Sequence, residues 1–193
     1  QARRRKVAVS PREEMIMGVD VARFGDDETV IAYRRGRDAH SEPWLRLRKL
    51  DTMEVAARVA DEYRRVKPDA VFVDETGVGA GVVDRLKQLR VPVIPVNFGS
   101  RPNGLTDAKV ANKRAEMWVR MREWLRGESA IPDDNSLEAQ LTAVEYRHDA
   151  NNAILLESKE EMKKRGLPSP DLADALALTF AYAVAPREAD NED

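Results

Sequence analysis

Residues 70–74, Ala-Val-Phe-Val-Asp, form a short unbroken apolar run that ends in a carboxylate. A run of this length without alternation is the pattern of a strand buried on both faces, so the chain must lay other elements over each side of a sheet. The acid at its end, Asp74, then has to be paired, protonated or bound to a cation. An ionised carboxylate in apolar surroundings otherwise costs several kcal/mol. The same conflict recurs twice. Asp20 stands within the apolar run Ile-Met-Gly-Val-Asp-Val-Ala, and Asp171 and Asp174 open the apolar stretch DLADALALTFAYA.

The rest of the chain supplies the layers. Residues 15–21 and 29–35 are β-rich runs joined by the acidic turn Phe-Gly-Asp-Asp-Glu, which predicts an antiparallel hairpin with Asp20 in the middle of its first strand. Trp44, Leu45, Leu47 and Leu50 alternate with Arg46, Arg48 and Lys49, close to period two, which predicts a third, half-exposed strand. Asp51 or Thr52 caps a helix over 53–66, whose apolar positions share one face. After the buried run come a glycine-rich turn at 76–81, a short helix over 82–89, and an edge strand over 91–97 marked by Pro92 and Pro95. Helices are expected at 106–126, 136–146, 160–165 and 171–184, and a hairpin turning at 149–152. Three antiparallel strands followed by alternating α/β units make a mixed β-sheet flanked by helices, the element order of the ribonuclease H-like fold. The 193 residues suit one such domain over 15–186, with 1–14 as a basic linker or arm and 187–193 as an acidic tail.

Composition removes several chemistries. Cysteine is absent, which excludes disulfides, thiolate zinc sites and a cysteine nucleophile. Two histidines, His40 and His148, are too few for a histidine-rich metal site. No apolar run approaches the ~20 residues that span a membrane. The basic start QARRRKVAV lacks the apolar stretch of a signal peptide, and an intracellular protein is expected. Charge is balanced, with 32 basic and 34 acidic residues, which permits a local basic groove but not a uniformly basic coat. No Walker A pattern occurs, so the turn at 76–81 reads as a tight strand-to-helix connection.

Convergence gives the acids their meaning. In this fold the strands carrying Asp20 and Asp74 are central neighbours, and the last helix brings Asp171 and Asp174 beside them. Singly, each acid has an ordinary structural role, as a strand-end residue, a helix N-cap or a first-turn anion favoured by the helix dipole. Together, with no equal set of fixed cations nearby in sequence, they must protonate or bind a cation. Oxygen-only ligands favour Mg²⁺ or Mn²⁺. Asp26, in the hairpin turn, is a further candidate ligand. Arg101, Lys109 and Lys113, on or before the long helix, and Lys159, Lys163, Lys164 and Arg165, before the last one, are expected to line a groove for a phosphate backbone.

These residues resemble the nuclease domain of the large terminase subunit of tailed bacteriophages. The resemblance lies in GVDVARFGDDETVIAYRRG, VFVDETGVGAGVVDRL, PVNFGSRP, NKRAEMWVRMREWLRG, AIPDD, LLESKEEMKKRG and SPDLADALALTFAYA, which together span most of residues 18–185. It implies metal-dependent endonuclease action on concatemeric viral DNA. Asp20 and Asp74 match the two strand acids, Asp174 or Asp171 the acid of the last helix, and Asp26 an additional acid of the first motif. It also implies an ATPase domain of the same full-length protein as partner, with the portal and small terminase subunit. The implied place of action is the host cell cytoplasm, transiently at the procapsid. The hairpin near 146–157 resembles an insertion beside the DNA groove.

The expected chemistry is hydrolysis of double-stranded DNA with two divalent cations, Asp20, Asp74 and Asp174 acting as the catalytic acids and Asp171 completing the second ion's site. The same acids would serve a Holliday-junction resolvase or a ribonuclease H. A non-catalytic DNA-grip or docking module is the reading outside enzymology.

Overall fold

The computed structural model describes residues 1–22 and 28–185. Five strands form the central sheet: β1 (Met15–Asp20), β2 (Thr29–Arg35), β3 (Leu45–Leu47), β4 (Ala70–Asp74) and β5 (Ile94–Val96). Their spatial order is β3-β2-β1-β4-β5. The β1–β2 and β2–β3 pairs are antiparallel, and β1–β4 and β4–β5 are parallel. This is the ribonuclease H-like arrangement. The run with no polar alternation is β4, and it sits inside the sheet as its composition requires. Both edge strands are three residues long, and β5 carries Pro95, which blunts an exposed edge.

The pleat sorts side chains to two cores. Met17, Val19, Ile31, Val71 and Val73 pack on one face against α1 (Thr52–Val66) and α2 (Gly79–Gln88). Ile16, Val30, Ala32 and Phe72 pack on the other against α3 (Lys113–Arg126), α4 (Asn135–Ala143) and α6 (Asp171–Leu178). By the same parity Asp20 and Asp74 belong to the α6 face, with Gly18 and Phe72. The hairpin β6 (Tyr146–His148) and β7 (Ile154–Leu156) forms a separate two-stranded sheet, followed by α5 (Lys159–Lys164).

Local chemistry explains most boundaries. Asp51 caps α1 by accepting from the Met53 and Glu54 amides, and Glu54 accepts in return from the Asp51 amide, a complete capping box. Ser158 and Glu161 repeat it on α5. Three helices are shorter than their periodicity suggests, and the one expected over 136–146 ends at Ala143, before Tyr146 opens β6. The helix expected from residue 106 begins only at Lys113, because Asn112 caps it. The loop before it is instead drawn onto buried Glu116, which accepts from the Asn103 and Leu105 amides at 3.1 and 2.8 Å. The last helix ends at Leu178 rather than near 184, closing in i→i+3 bonds from Thr179, Phe180 and Ala181. The N-terminal residues are docked. Arg3 pairs with Asp133 at 2.5 Å, and Ala2 packs against the α6-side core. Among the described residues no helix is long and apolar enough to cross a membrane.

Candidate metal centre

Two close approaches bring the acids together. Gly18 in β1 lies under α6, where a Cβ would stand 2.3 Å from the Ala175 carbonyl oxygen. Only glycine lets the α6 backbone rest on the sheet at that distance. Gly79 does the same for the turn after β4, where a Cβ would meet the Asp74 carbonyl at 1.8 Å. The start of α6 is fixed by a borrowed cap. Pro170 precedes it and supplies no side-chain bond, and Gln140 of α4 accepts from the Leu172 and Ala173 amides at 2.8 and 3.2 Å. Asp171 is therefore the first helical residue, not the expected N-cap.

Asp20 ends β1 rather than standing within it, one step beyond the Val19–Val73 pair that aligns it with β4. It is 1% exposed, and its Oδ1 is buried without a hydrogen-bond partner. Asp74 is 6% exposed and accepts from the Thr76 amide at 2.9 Å. Asp171 accepts from the Glu28 amide at 3.0 Å. Asp174 is fully buried. Its Oδ1 accepts from Arg114 Nε at 3.0 Å and Trp118 Nε1 at 2.8 Å, and its Oδ2 from Arg114 Nη2 at 3.2 Å.

No equal set of cations adjoins the acids in sequence, and the fold brings two to them from a distance. The Lys159 ammonium, from the first turn of α5, sits among the acids. Nζ lies 3.1 Å from Asp20 Oδ2, 3.2 Å from Asp171 Oδ1 and 3.8 Å from Asp174 Oδ2. Arg114 is the second cation. Sequence separations of 139 residues for Lys159–Asp20 and 60 for Arg114–Asp174 hid both contacts from any local pattern. Among the described residues, no three carboxylates close on a common point as a ready-made ion cage. The ammonium occupies the space between them.

Electrostatics follow from this geometry. Burial pushes the Asp20 carboxyl well above the ordinary range. Lys159 opposes that, and Asp174, Asp171 and Asp74 reinforce it. Burial also raises Asp74, against the bonds from Thr76 and the charge of Lys159. Burial alone would lower Lys159, but Asp20, Asp174 and Asp171 outweigh it and hold the ammonium protonated far into the alkaline range. The centre is one of under-compensated negative charge.

A cleft of about 750 Å³ opens beside these acids. Its walls include Asp74, Thr76, Phe98, Arg147 of the hairpin, Lys159, Lys163 and Lys164. Lys163 and Lys164 thus lie where a groove was expected. Lys113 does not. It is fully buried, pairs with Glu116 at 2.7 Å and also donates to the Ala181 carbonyl, so no phosphate reaches it. Lys109 is exposed and donates to the Asn151 carbonyl at the hairpin turn. Arg165 is bound to Glu157 at 2.6 Å and Glu145 at 2.9 Å. Arg101 is exposed on the loop before α3. Asp26 lies outside the described residues.

No family model matches this chain, and no curated protein does. Solved structures do. The nuclease domain of the large terminase subunit gp2 of bacterial virus Sf6 aligns at TM-score 0.75 with 23% identity, covering 91% of each chain. A mutant of that domain solved with manganese and β-thujaplicinol aligns at 0.74 and 22%, again over 91% of each. The large terminase nuclease of thermophilic phage G20c with bound magnesium aligns at 0.64 and 16%, over 90% of this chain and 83% of that one. The resemblance read from the motifs therefore extends to three dimensions over about nine-tenths of the chain, and at these identities it establishes the fold.

Proposed function

We propose that this chain is the metal-dependent endonuclease domain of a viral DNA-packaging terminase, cutting concatemeric double-stranded DNA by phosphodiester hydrolysis. The observation that carries the reading is the buried, unpartnered Oδ1 of Asp20, set among three further carboxylates at the end of a cleft with basic walls. A native fold rarely leaves such an oxygen without a partner, and a bound cation is one way to complete it. The donor set is oxygen only, which fits Mg²⁺ or Mn²⁺. The Sf6 and G20c domains were solved with manganese and magnesium respectively.

In this reading Asp20, Asp74 and Asp171 hold two divalent cations, which when bound would supply a polarised water and charge for the departing 3′ oxygen. The residues of the chain do the rest. Asp174, locked by Arg114 and Trp118, ties the first turn of α6 to α3 and keeps Oδ2 within 3.8 Å of Lys159. Lys159 neutralises part of the cluster and would share the carboxylates with bound cations. Lys163, Lys164 and Arg147 receive the phosphate backbone along the cleft, with Arg101 and Lys109 further out. The working partners are double-stranded DNA, an ATPase domain of the same full-length protein, the portal and the small terminase subunit. The place of action is the host cytoplasm and, transiently, the procapsid.

Substrate competition tests the proposal. Plain duplex, a four-way junction and an RNA–DNA hybrid are offered together in Mn²⁺, with an EDTA control. Cleavage of plain duplex without preference for the others is expected. A marked preference for the junction or the hybrid would replace the terminase reading with a resolvase or ribonuclease H.

A further inference from the structure

A second cavity, of about 280 Å³, lies on the β3 side of the acids and shares Asp171 with the main cleft. Asp171 therefore stands between two openings. The outer wall of the second carries Arg46 and Arg48. Sheet register places them. Asp20 pairs with Val30, and Val30 pairs with Arg46, so Arg46 stands two strands from Asp20 on the same face. At ~4.8 Å per strand that is ~10 Å, a few nucleotides along a DNA strand at ~3.4 Å of rise each.

Glu28 ties both arginines to the centre. Its carboxylate accepts from Arg46 Nε at 2.6 Å and from Arg48, and its backbone amide donates to Asp171. The glutamate is buried, while the arginine side chains are 39% and 64% exposed. Two guanidinium groups share the Glu28 carboxylate, and both remain partly exposed after that pairing. Asp171 shares Lys159 with Asp20 and Asp174. Asp134, 3.5 Å from Arg46, also accepts from two amides of α4 as its N-cap. Two guanidinium groups held by one carboxylate, with their side chains partly exposed, are a donor set for a tetrahedral oxyanion.

We propose that the cavity wall formed by Arg46 and Arg48 is a second phosphate subsite, which grips the DNA backbone on the side of the acids opposite the β6–β7 hairpin. The proposal rests on the nuclease reading. It gives the cut strand two anchor points, Lys163 and Lys164 in the main cleft and Arg46 and Arg48 beyond Asp171. Glu28 acts as the positioning residue that holds the second anchor at fixed distance from the acids.

The test is binding of a fluorescent DNA duplex in Ca²⁺, by anisotropy over a series of salt concentrations, with cleavage in Mn²⁺ measured in parallel. The variants are Arg48→Ala, Arg46→Ala, the double variant and Arg48→Lys. Arg64→Ala, an exposed arginine of α1 paired with Asp61, is the control. Arg48→Ala is expected to weaken binding roughly fivefold and to lower the salt slope by about 1, the double variant by about 2. Arg48→Lys should keep the slope, since the charge remains, and shows that loss in the alanine variant is not misfolding. Unchanged affinity and slope in a double variant that melts like the wild type would overturn the subsite and leave the nuclease reading intact. An equal loss in Arg64→Ala would also overturn it, as a diffuse charge effect. Neither binding nor cleavage by the wild type would overturn both.

Discussion

Asp20 is the residue on which the proposed chemistry turns. Its carboxyl is held above the ordinary range by burial and by three neighbouring acids, so the neutral form suits the native state better than the ion does. Asp20→Asn should therefore abolish cleavage and leave the metal-free fold at least as stable. A tenfold change in proton affinity is worth about 1.4 kcal/mol, and about 2–4 °C follows per kcal/mol in a chain of this size. A thermal melt with and without Mn²⁺ checks this: the ion should raise the melting temperature of the wild type and not of the variant. Arg114 makes the opposite prediction. Arg114→Met leaves the fully buried Asp174 without its bidentate partner, which should cost about 3–5 kcal/mol in a denaturant titration. Adding Asp174→Leu should recover much of that stability and leave the enzyme inactive. The acids themselves were legible in the sequence, because each interrupts an apolar run. Their cations were not. Lys159 and Arg114 look like any other basic residue on a helix, and only the folding of α5 and α3 onto β1 and α6 reveals their role.

At the level of elements, placement of the site depends on how closely α6 approaches β1. Gly18→Ala forces a methyl into the Ala175 carbonyl, a backbone atom that cannot rotate away. The expected loss is about 1–3 kcal/mol or more, together with a fall in cleavage rate, since Asp171 and Asp174 move with α6. A variant that melts and cleaves like the wild type would show that the helix does not set the site. Strands β1 to β5 and the capped helix α1 followed from periodicity and turn chemistry, but the α6-face parity of Asp20 and Asp74 comes from the β1–β4 register, since neither apolar run alternates. The start of α3 did not follow. Residues 106–112 carry a helix-compatible pattern, but Glu116 and Lys113, a buried ion pair, draw the loop at Asn103–Leu105 against the helix and leave Asn112 to cap it. Nor did the borrowed cap, since Gln140 lies 32 residues from the amide it serves. The alternation of Leu45 and Leu47 with Arg46 and Arg48 was visible as a half-exposed strand, without any sign of which face the arginines share.

For the molecule as a whole, two sets of acids pull the dependence of stability on pH in opposite directions. Asp20 and Asp74 have native pKa values above the unfolded value of about 3.9. Through these two groups the native state binds more protons than the unfolded chain in that window. Their contribution to metal-free stability therefore falls as pH rises from about 4 through the raised native values. In Glu28, Glu62, Glu116 and Glu157, burial is outweighed by hydrogen-bond partners that hold the carboxyls low. These four contribute stability that is lost as pH falls through their native values. Lys159, also raised in the native state, contributes stability that is fully present below about 10.4 and lost only at higher pH. Divalent ions should reverse the acid-side loss, by about 2.7 kcal/mol at a hundredfold excess over the dissociation constant. Melting curves against pH, with Mn²⁺ and with EDTA, check both signs. Whether these acids cut DNA through bound metal is tested most simply by supercoiled plasmid, offered to the wild type and to Asp74→Asn in Mg²⁺, Mn²⁺ and EDTA. Nicking and linearisation by the wild type with either ion are expected, with none in EDTA and none by the variant under any condition. Full cleavage by Asp74→Asn, or cleavage by the wild type in EDTA, would contradict a metal-dependent nuclease centred on these carboxylates.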